Sequence, residues 1–441
     1  MMRALNLTNI STKQQRIATL AEQMPNEALH SLSHHLDMEW MREAYRRTRK
    51  DGAVGVDGQT AQDYEKRLEE NLILLLDRAK SGVLYRAPPV RRVHIPKGDG
   101  TLRPLGIPTF EDKVLQRAIA MLLEPLYEHD FLDCSYGFRP KRSAHQALAR
   151  IQTELTTMGG GWVLDLDISK FFDCLSHDQL QQMLAKRIGD GIVKRLIGKW
   201  LKAGVMEDGV HTHSETGSPQ GGVISPLLAN VYLHEALDTW FEHAVVPRLR
   251  GRAFLIRYAD DCAIGFALES DARRVMAVLP RRLAKYGLTL HPEKTRLIDF
   301  RHPPRKTDKD DKANSFDMLG LTHHWAKSKR GYWVVKQKTA KGRFTRAIQR
   351  IRDWCRENRH RPVREQSEAL TKKLRGHYAY YGVIGNSQSL GRFYYEVCQQ
   401  WRKWLSRRSQ KALLNWQTFN KLLNCFPLPV PRMATRLVAN P

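Results

Sequence analysis

The chain has 441 residues, enough for two or three domains with full cores, and its 72 Lys+Arg against 46 Asp+Glu give a net charge of +26. That excess makes a polyanion the first partner to consider. No apolar run approaches the ~18 residues that span a bilayer, the N-terminus lacks the apolar core of a signal peptide, and the six cysteines are scattered without a Cys-x-x-Cys pair. These features set aside a membrane protein, a zinc ribbon and a disulfide framework, and the expectation is a cytoplasmic protein with free thiols. The charge is unevenly placed: from Ala326 onward there are 26 Lys+Arg and 5 Asp+Glu, so the last quarter carries +21 of the +26.

Residues 1 to about 50 read as helical, polar and His-containing. Three glycines in Gly52–Gly58 predict a loop whose backbone can approach a ligand or strand closely, or a plain turn. Apolar spacing predicts helices over Glu65–Lys80 and Glu111–Leu126. Between them, Gly98-Asp99-Gly100 separates two strand-like runs, a hairpin signal that puts Lys97 and Arg103 on opposite arms. There they could grip one triphosphate or stand as solvated cations. Tyr136-Gly137-Phe138-Arg139-Pro140 reads as a compact turn.

Two acidic stretches follow. In Trp162-Val163-Leu164-Asp165-Leu166-Asp167, apolar and acidic residues alternate, so Asp165 and Asp167 share one face of a strand. Phe254–Phe266 places two apolar runs around Asp260-Asp261, a hairpin with the acids at or near its turn. Adjacent ionised carboxylates need a cation, and Mg2+ takes hard oxygen ligands while leaving room for phosphates. An acidic surface turn is the competing reading. A strand end carrying Asp167 beside the hairpin would complete a two-metal site of the kind that clamps attacking and leaving oxygens in phosphoryl displacement.

Gly217-Ser218-Pro219-Gln220-Gly221-Gly222 precedes a helix-like run from Ser225 to Leu237, and Gln220 can hydrogen-bond a base or sugar. Tyr286–Thr295 reads as turn, strand and turn with Lys294 at its tip. Pro303–Asn314 reads as an exposed loop and Phe316–Leu321 as strand. In the basic region Phe344, Ile348, Ile351 and Cys355 fall at helical spacing, with Arg343, Arg346 and Arg350 elsewhere on the circumference. Leu374–Tyr381, containing Arg375, and Trp401–Arg408, containing Arg402, Arg407 and Arg408, interleave aromatics with cations. That pattern suits RNA through stacking plus phosphate contacts, and it also describes a solvated basic helix.

In order, Gly52–Gly58, Ile95-Pro96-Lys97 to Arg103–Pro108, Tyr136–Pro140, Asp167–Asp173, Ser218–Gly221, Tyr258–Asp261, Gly287–Lys294 and Leu319-Gly320 resemble a group II intron-encoded reverse transcriptase/maturase. The resemblance covers about 50 to 325, and the maturase-like Leu374–Tyr381 and Trp401–Arg408 extend it. It implies an α+β right-hand polymerase of fingers, palm with an antiparallel sheet and helical thumb, followed by a helical maturase region. The implied divisions are 1–50 helical extension, 51–160 loop and fingers, 161–325 palm with part of the fingers, 326–385 thumb and maturase, and 386–441 basic nucleic-acid-binding region. Asp167, Asp260 and Asp261 match the catalytic carboxylates, with Asp167, Ile168, Asp260 and Asp261 at the two-Mg2+ position. Lys97 and Arg103 match residues that hold the deoxynucleoside triphosphate, Phe172 the position that rejects a ribose 2′-hydroxyl, and Gln220 a contact to the nascent pair. Lys294 matches the lysine that protonates the leaving pyrophosphate.

The implied partners are group II intron RNA, an RNA template with a DNA or RNA primer, and target DNA, with nucleoid association when mobile. No Cys/His cluster of an HNH endonuclease follows Phe426–Pro431, so none is expected. Two other readings fit the same residues: an RNA-binding maturase with a vestigial polymerase, and a domesticated reverse transcriptase in defence or repair. Against the first, no acidic position is lost.

Overall fold

The computed structural model describes residues 2–81, 83–96, 100–207, 209–212, 221–302, 315–409 and 413–431, with side chains from residue 9. Three helices of the first third begin on capping residues. Asp37 accepts from the Trp40 N–H, Thr60 and Asp63 make a capping box, and Thr109 accepts from the Asp112 N–H, starting Met38–Arg47, Ala61–Glu65 and Phe110–Asp130. Phe110–Asp130 is the spine: Met2–Gln23 and Met38–Arg47 pack along it, and the buried Trp40 donates Nε1–H to the Ala118 carbonyl at 2.9 Å.

Three sheets follow, each built on an antiparallel hairpin. In the first, Val90–Pro96 pairs with Leu102–Ile107, Ile95 standing opposite Arg103, and the short strands Val205–Glu207 and Val210–Thr212 extend the other side. Burial falls away toward its tip, from Val90 at 3% exposed to Ile95 at 46% and Leu102 at 55%. The second has the order Ala253–Tyr258, Asp261–Phe266, Trp162–Leu166, Arg296–Asp299, antiparallel throughout. Its middle strands feed the main core through Leu164, Leu166, Cys262, Ile264 and Phe266. The third joins Phe316–Met318, Leu321–Lys327 and Trp333–Thr339, with Leu319 (φ 52°) and Gly320 (φ 78°) at its first turn.

Helices Lys341–Glu357, Val363–Tyr381, Ser387–Leu405 and Trp416–Cys425 surround a separate core that includes Ile351, Cys355, Leu370, Leu374, Phe393, Trp401 and Phe419. A polar seam ties them to the sheets. Tyr380 donates its hydroxyl to the Leu319 carbonyl at 2.8 Å, His145 Nε2 lies 2.8 Å from the Tyr380 carbonyl, and the Thr339 N–H donates to Asn386 Oδ1 at 2.9 Å.

The structure realises the helices expected over Glu65–Lys80 and Glu111–Leu126 as Leu68–Ser81 and Phe110–Asp130, and it forms both expected hairpins. The run from Ser225 is α-helical only to Leu233 and widens to a π-turn over His234–Asp238. Tyr286–Thr295 forms no strand. Leu290 makes an isolated bridge to Ile168, because the segment only crosses the sheet end, and regular pairing starts at Arg296. Strand Leu321–Lys327 runs across residue 325 and the helical core spans residue 385, so divisions at those two points pass through packed units. Pro303–Asn314 lies outside the described residues. No helix among the described residues is long and apolar enough to cross a membrane.

Candidate active site

The two acidic stretches meet at one end of the second sheet. Trp162–Leu166 is hydrogen-bonded directly to Asp261–Phe266, with Leu166 opposite Cys262, and the hairpin closes with Tyr258 opposite Asp261. Pairing at that register puts Asp167, Asp260 and Asp261 at the same end of neighbouring strands. Asp167 is held from its other side: its carbonyl accepts from the His291 N–H at 2.8 Å, and Lys294 Nζ lies 3.6 Å from Asp167 Oδ2. The bridge at Leu290 is made by the backbone of Asp167 and Ser169, so the Ile168 carbonyl between them takes no part in it.

The tip of the hairpin is strained and clamped. Ala259 has φ 57°, a left-handed conformation unfavourable for alanine. Beneath it lies Arg257, fully buried, which grips Asp238 with Nε–Oδ1 2.8 Å and Nη2–Oδ2 2.6 Å. The same guanidinium donates to Asn230 Oδ1 at 2.8 Å, Ser135 Oγ at 2.7 Å and the Ala259 carbonyl at 3.1 Å. Asp238 ends the π-turn, and π-turns in helices concentrate at functional sites. Gly137 closes the clamp: a Cβ there would stand 2.4 Å from the Ala259 nitrogen. The composition offered one clue to this device, a lone arginine inside an apolar strand, but not its partner.

The acids are only partly compensated. Asp261 keeps solvent-accessible surface in the lining of a concave cleft, and partial loss of hydration, with Asp260, Asp167 and Asp165 nearby, pushes its carboxyl up to about 6. Burial raises Asp165 too, against the Arg296 guanidinium at 3.3 Å. Among the described residues no three His, Cys, Asp or Glu side chains stand close enough to hold an ion as they are. The acids share a sheet end without being drawn onto one point. Hard carboxylate oxygens with unneutralised charge are nevertheless the donor set that a divalent cation such as Mg2+ prefers.

The cleft beside them, about 240 Å³, is lined by Asp165, Asp261 and Asp317 and by Arg343 and Arg346 of helix Lys341–Glu357. Those two arginines therefore share a cleft with the acids, whereas Arg350 and Arg375 lie on open surface. Arg402 and Arg408 are engaged within the fold. Arg402 donates to the Leu414 carbonyl at 2.9 Å and stacks on Trp416, and Arg408 reaches the carbonyls of Arg359 and Arg361. Arg407 lies over Trp404. The seven arginines thus fall into three settings rather than one face.

Phe171 is core, and Phe172 is half-buried on a 3-10 turn, edge-on to Phe171 at 5.2 Å. Arg103 is exposed near the tip of the first hairpin. Lys97 and Gln220 lie outside the described residues. Gly221, which follows Gln220, lies against the Gly106 carbonyl of the Arg103 strand.

Residues 95–323 match the family of reverse transcriptases (RNA-dependent DNA polymerases). The chain is 38% identical over 284 residues to Protein YkfC of Escherichia coli, covering 57% of this chain and 74% of that protein. It is 42% identical over 182 residues to the Group II intron-encoded protein LtrA of Lactococcus lactis subsp. cremoris, 41% of this chain and 29% of that protein. Nuclear intron maturase 1 of Arabidopsis thaliana is 34% identical over 95 residues, 22% of this chain and 13% of that protein.

Proposed function

The chain belongs to the reverse transcriptase family and, within it, to the group II intron-encoded reverse transcriptases and maturases, and from that premise we propose that it copies RNA into DNA and assists the splicing of its intron RNA. One observation carries the polymerase reading: the direct pairing of Trp162–Leu166 with Asp261–Phe266, which brings acids from two distant stretches to one sheet end. In this reading the second sheet is the palm, the first hairpin the fingers and the C-terminal helices the thumb and maturase region. The protein is cytoplasmic and joins the nucleoid when its intron moves into target DNA.

Asp167, Asp260 and Asp261, with the main-chain oxygen of Ile168, would hold two Mg2+ ions. Such ions, when bound, stabilise negative charge on the attacking and leaving oxygens of an in-line displacement. The chain's own residues do the rest. Lys97 and Arg103 hold the triphosphate of a deoxynucleotide, and the Phe172 ring occupies the space of a ribose 2′-hydroxyl. Gln220 packs against the nascent pair. Lys294 Nζ, on the turn beside Asp167, hands a proton to the departing pyrophosphate. The Arg343–Arg346 wall of the cleft faces the same space and suits the phosphates of a bound strand.

Primer extension on an RNA template tests this reading. Asp260→Ala and Asp261→Ala should each lower DNA synthesis by about a thousandfold or more, the scale expected when several kcal/mol of charge stabilisation is lost, while intron RNA binding persists. Undiminished synthesis by both variants would refute the assignment. RNA binding without synthesis by the wild type would favour a maturase with a vestigial polymerase.

A further inference from the structure

The hairpin formed by Leu321–Lys327 and Trp333–Thr339 carries charge of one sign, since no Asp or Glu occurs from Met318 to Arg352. Its last paired residues are Lys327 and Trp333, and the turn between them is fixed by its own hydrogen bonds. The Ser328 N–H donates to the Tyr332 carbonyl at 2.7 Å, the Gly331 N–H to the Ser328 carbonyl at 3.1 Å, and the Tyr332 N–H to Ser328 Oγ at 3.2 Å. Gly331, at φ 84°, supplies the left-handed residue that this turn requires. On that fixed turn Tyr332 stands 71% exposed and Trp333 37%, with Lys327, Lys329 and Arg330 exposed around them.

The Trp333 ring is the outermost of a series that starts in the core. The buried Phe300 stacks on Trp325 at 5.8 Å, and Trp325 donates Nε1–H to the Phe300 carbonyl at 3.0 Å. The His302 ring then lies 5.3 Å from Trp325 and 5.5 Å from Trp333, and Lys327 Nζ stands 5.8 Å over Trp333. Rings supported in this way are ordered before any ligand arrives, which lowers the cost of binding. An exposed aromatic pair alone fits many partners, but ringed by cations it fits a polyanion with flat faces. Only unpaired bases show such faces, because those of a duplex are covered by their neighbours. The site is distinct from the acidic cleft: Leu319 and Gly320 line that cleft, and strand Leu321–Lys327 runs away from it. At about 3.3 Å per residue the tip stands roughly 20 Å off.

We propose that this tip is a separate nucleic-acid site, a stacking platform for an unpaired stretch of RNA, with Tyr332 and Trp333 meeting bases and Lys327, Lys329 and Arg330 the flanking phosphates. That the polyanion is RNA rests on the proposed function; the stacking and the charge do not. The platform lies outside the copying cleft, so it holds RNA at a point that is not being copied.

The test uses the full-length chain, its cleft filled with excess primer–template duplex, and a short fluorescein-labelled single-stranded RNA carrying iodouridine. Photo-crosslinking followed by peptide mapping should place the RNA on Tyr332 or Trp333. Tyr332→Ala should weaken binding of the single strand by about tenfold, within the range of one base–aromatic stack, and Tyr332→Phe should restore it. Because the ring stands in solvent, neither variant should lower the melting temperature or slow primer extension. Lys329→Gln combined with Arg330→Gln should flatten the salt dependence of single-strand binding by about 1.4 in log–log slope, as for two phosphate contacts. The proposal is overturned if crosslinks map only to other segments, if Tyr332→Ala binds like the wild type, or if the loss is equal on double-stranded RNA. Tighter binding of single-stranded DNA at the same residues would identify a DNA seat and also overturn it. Extension by the wild type is followed in parallel: its absence, with crosslinks and binding differences intact, counts against the polymerase reading and not against the platform.

Discussion

Two hairpins of this chain carry charged candidate residues near their tips, and they are supported in opposite ways. The acidic hairpin is packed along its length, and its turn is bolted down by Arg257, which spends all its donors on Asp238, Asn230, Ser135 and the turn itself. The hairpin bearing Arg103 sheds its packing as it goes, so that Ile95 and Leu102 near its end stand largely in solvent. Groups that must hold a fixed mutual spacing are placed by buried polar contacts with directional geometry. A cation that meets a triphosphate can instead be oriented by its substrate, because charge attraction tolerates variation in approach.

That contrast can be broken at three points. The largest effect is expected from Arg257→Ala, which leaves Asp238 buried and uncompensated and should cost about 3–5 kcal/mol in chemical denaturation. A loss below about 1 kcal/mol would mean that the turn is held by something else. Next comes the third sheet, where His323 is fully buried and stacked on Phe316 at 4.7 Å, with both ring nitrogens lacking partners among the described residues. Burial pushes its pKa down to about 3 from 6.5, with the neighbouring His324 adding to the effect. The unfolded chain therefore binds a proton that the folded one does not between those values. Stability from this residue is full above about pH 6.5 and is lost as pH falls toward 3, at up to about 1.4 kcal/mol per unit. His323→Phe should flatten that part of the acid limb, checked by denaturation midpoints at pH 7.5 and pH 5; an unchanged slope would contradict it. Smallest in stability is Arg103→Ala, expected within about 0.5 kcal/mol of the wild type while raising the KM for deoxynucleotide about tenfold, as for loss of one charge-assisted phosphate contact. A fall in stability with no change in KM would reverse the comparison.

The parts of this molecule that were legible in advance are those whose signal lies in consecutive residues. Alternation marked the strand ending at Leu166, two apolar runs marked the acidic hairpin, and helical spacing placed Ile351 and Cys355 inside. What escaped depends on partners far along the chain or on backbone conformation. Arg257 finds Asp238 only because a π-turn rotates the end of one helix toward the sheet, and nothing near either residue announces that widening. The left-handed Phe138 is invisible too, since phenylalanine is a poor predictor of that conformation. Interleaved arginines and aromatics in Trp401–Arg408 suit an RNA surface or a solvated basic helix, yet Arg402 and Arg408 are partly consumed in holding adjoining helices, a division of labour that composition does not reveal.

The seam between the C-terminal helices and the sheets has a mechanical consequence. A copying enzyme must loosen its hold and take it up again after every addition. Here the helices beside the arginine-bearing one are fastened across that seam at Tyr380, His145 and Asn386, with each bond worth about 0.5–1.5 kcal/mol net. Bonds of that strength can be broken one at a time at small cost, so the seam joins the C-terminal helices to the sheets without welding them.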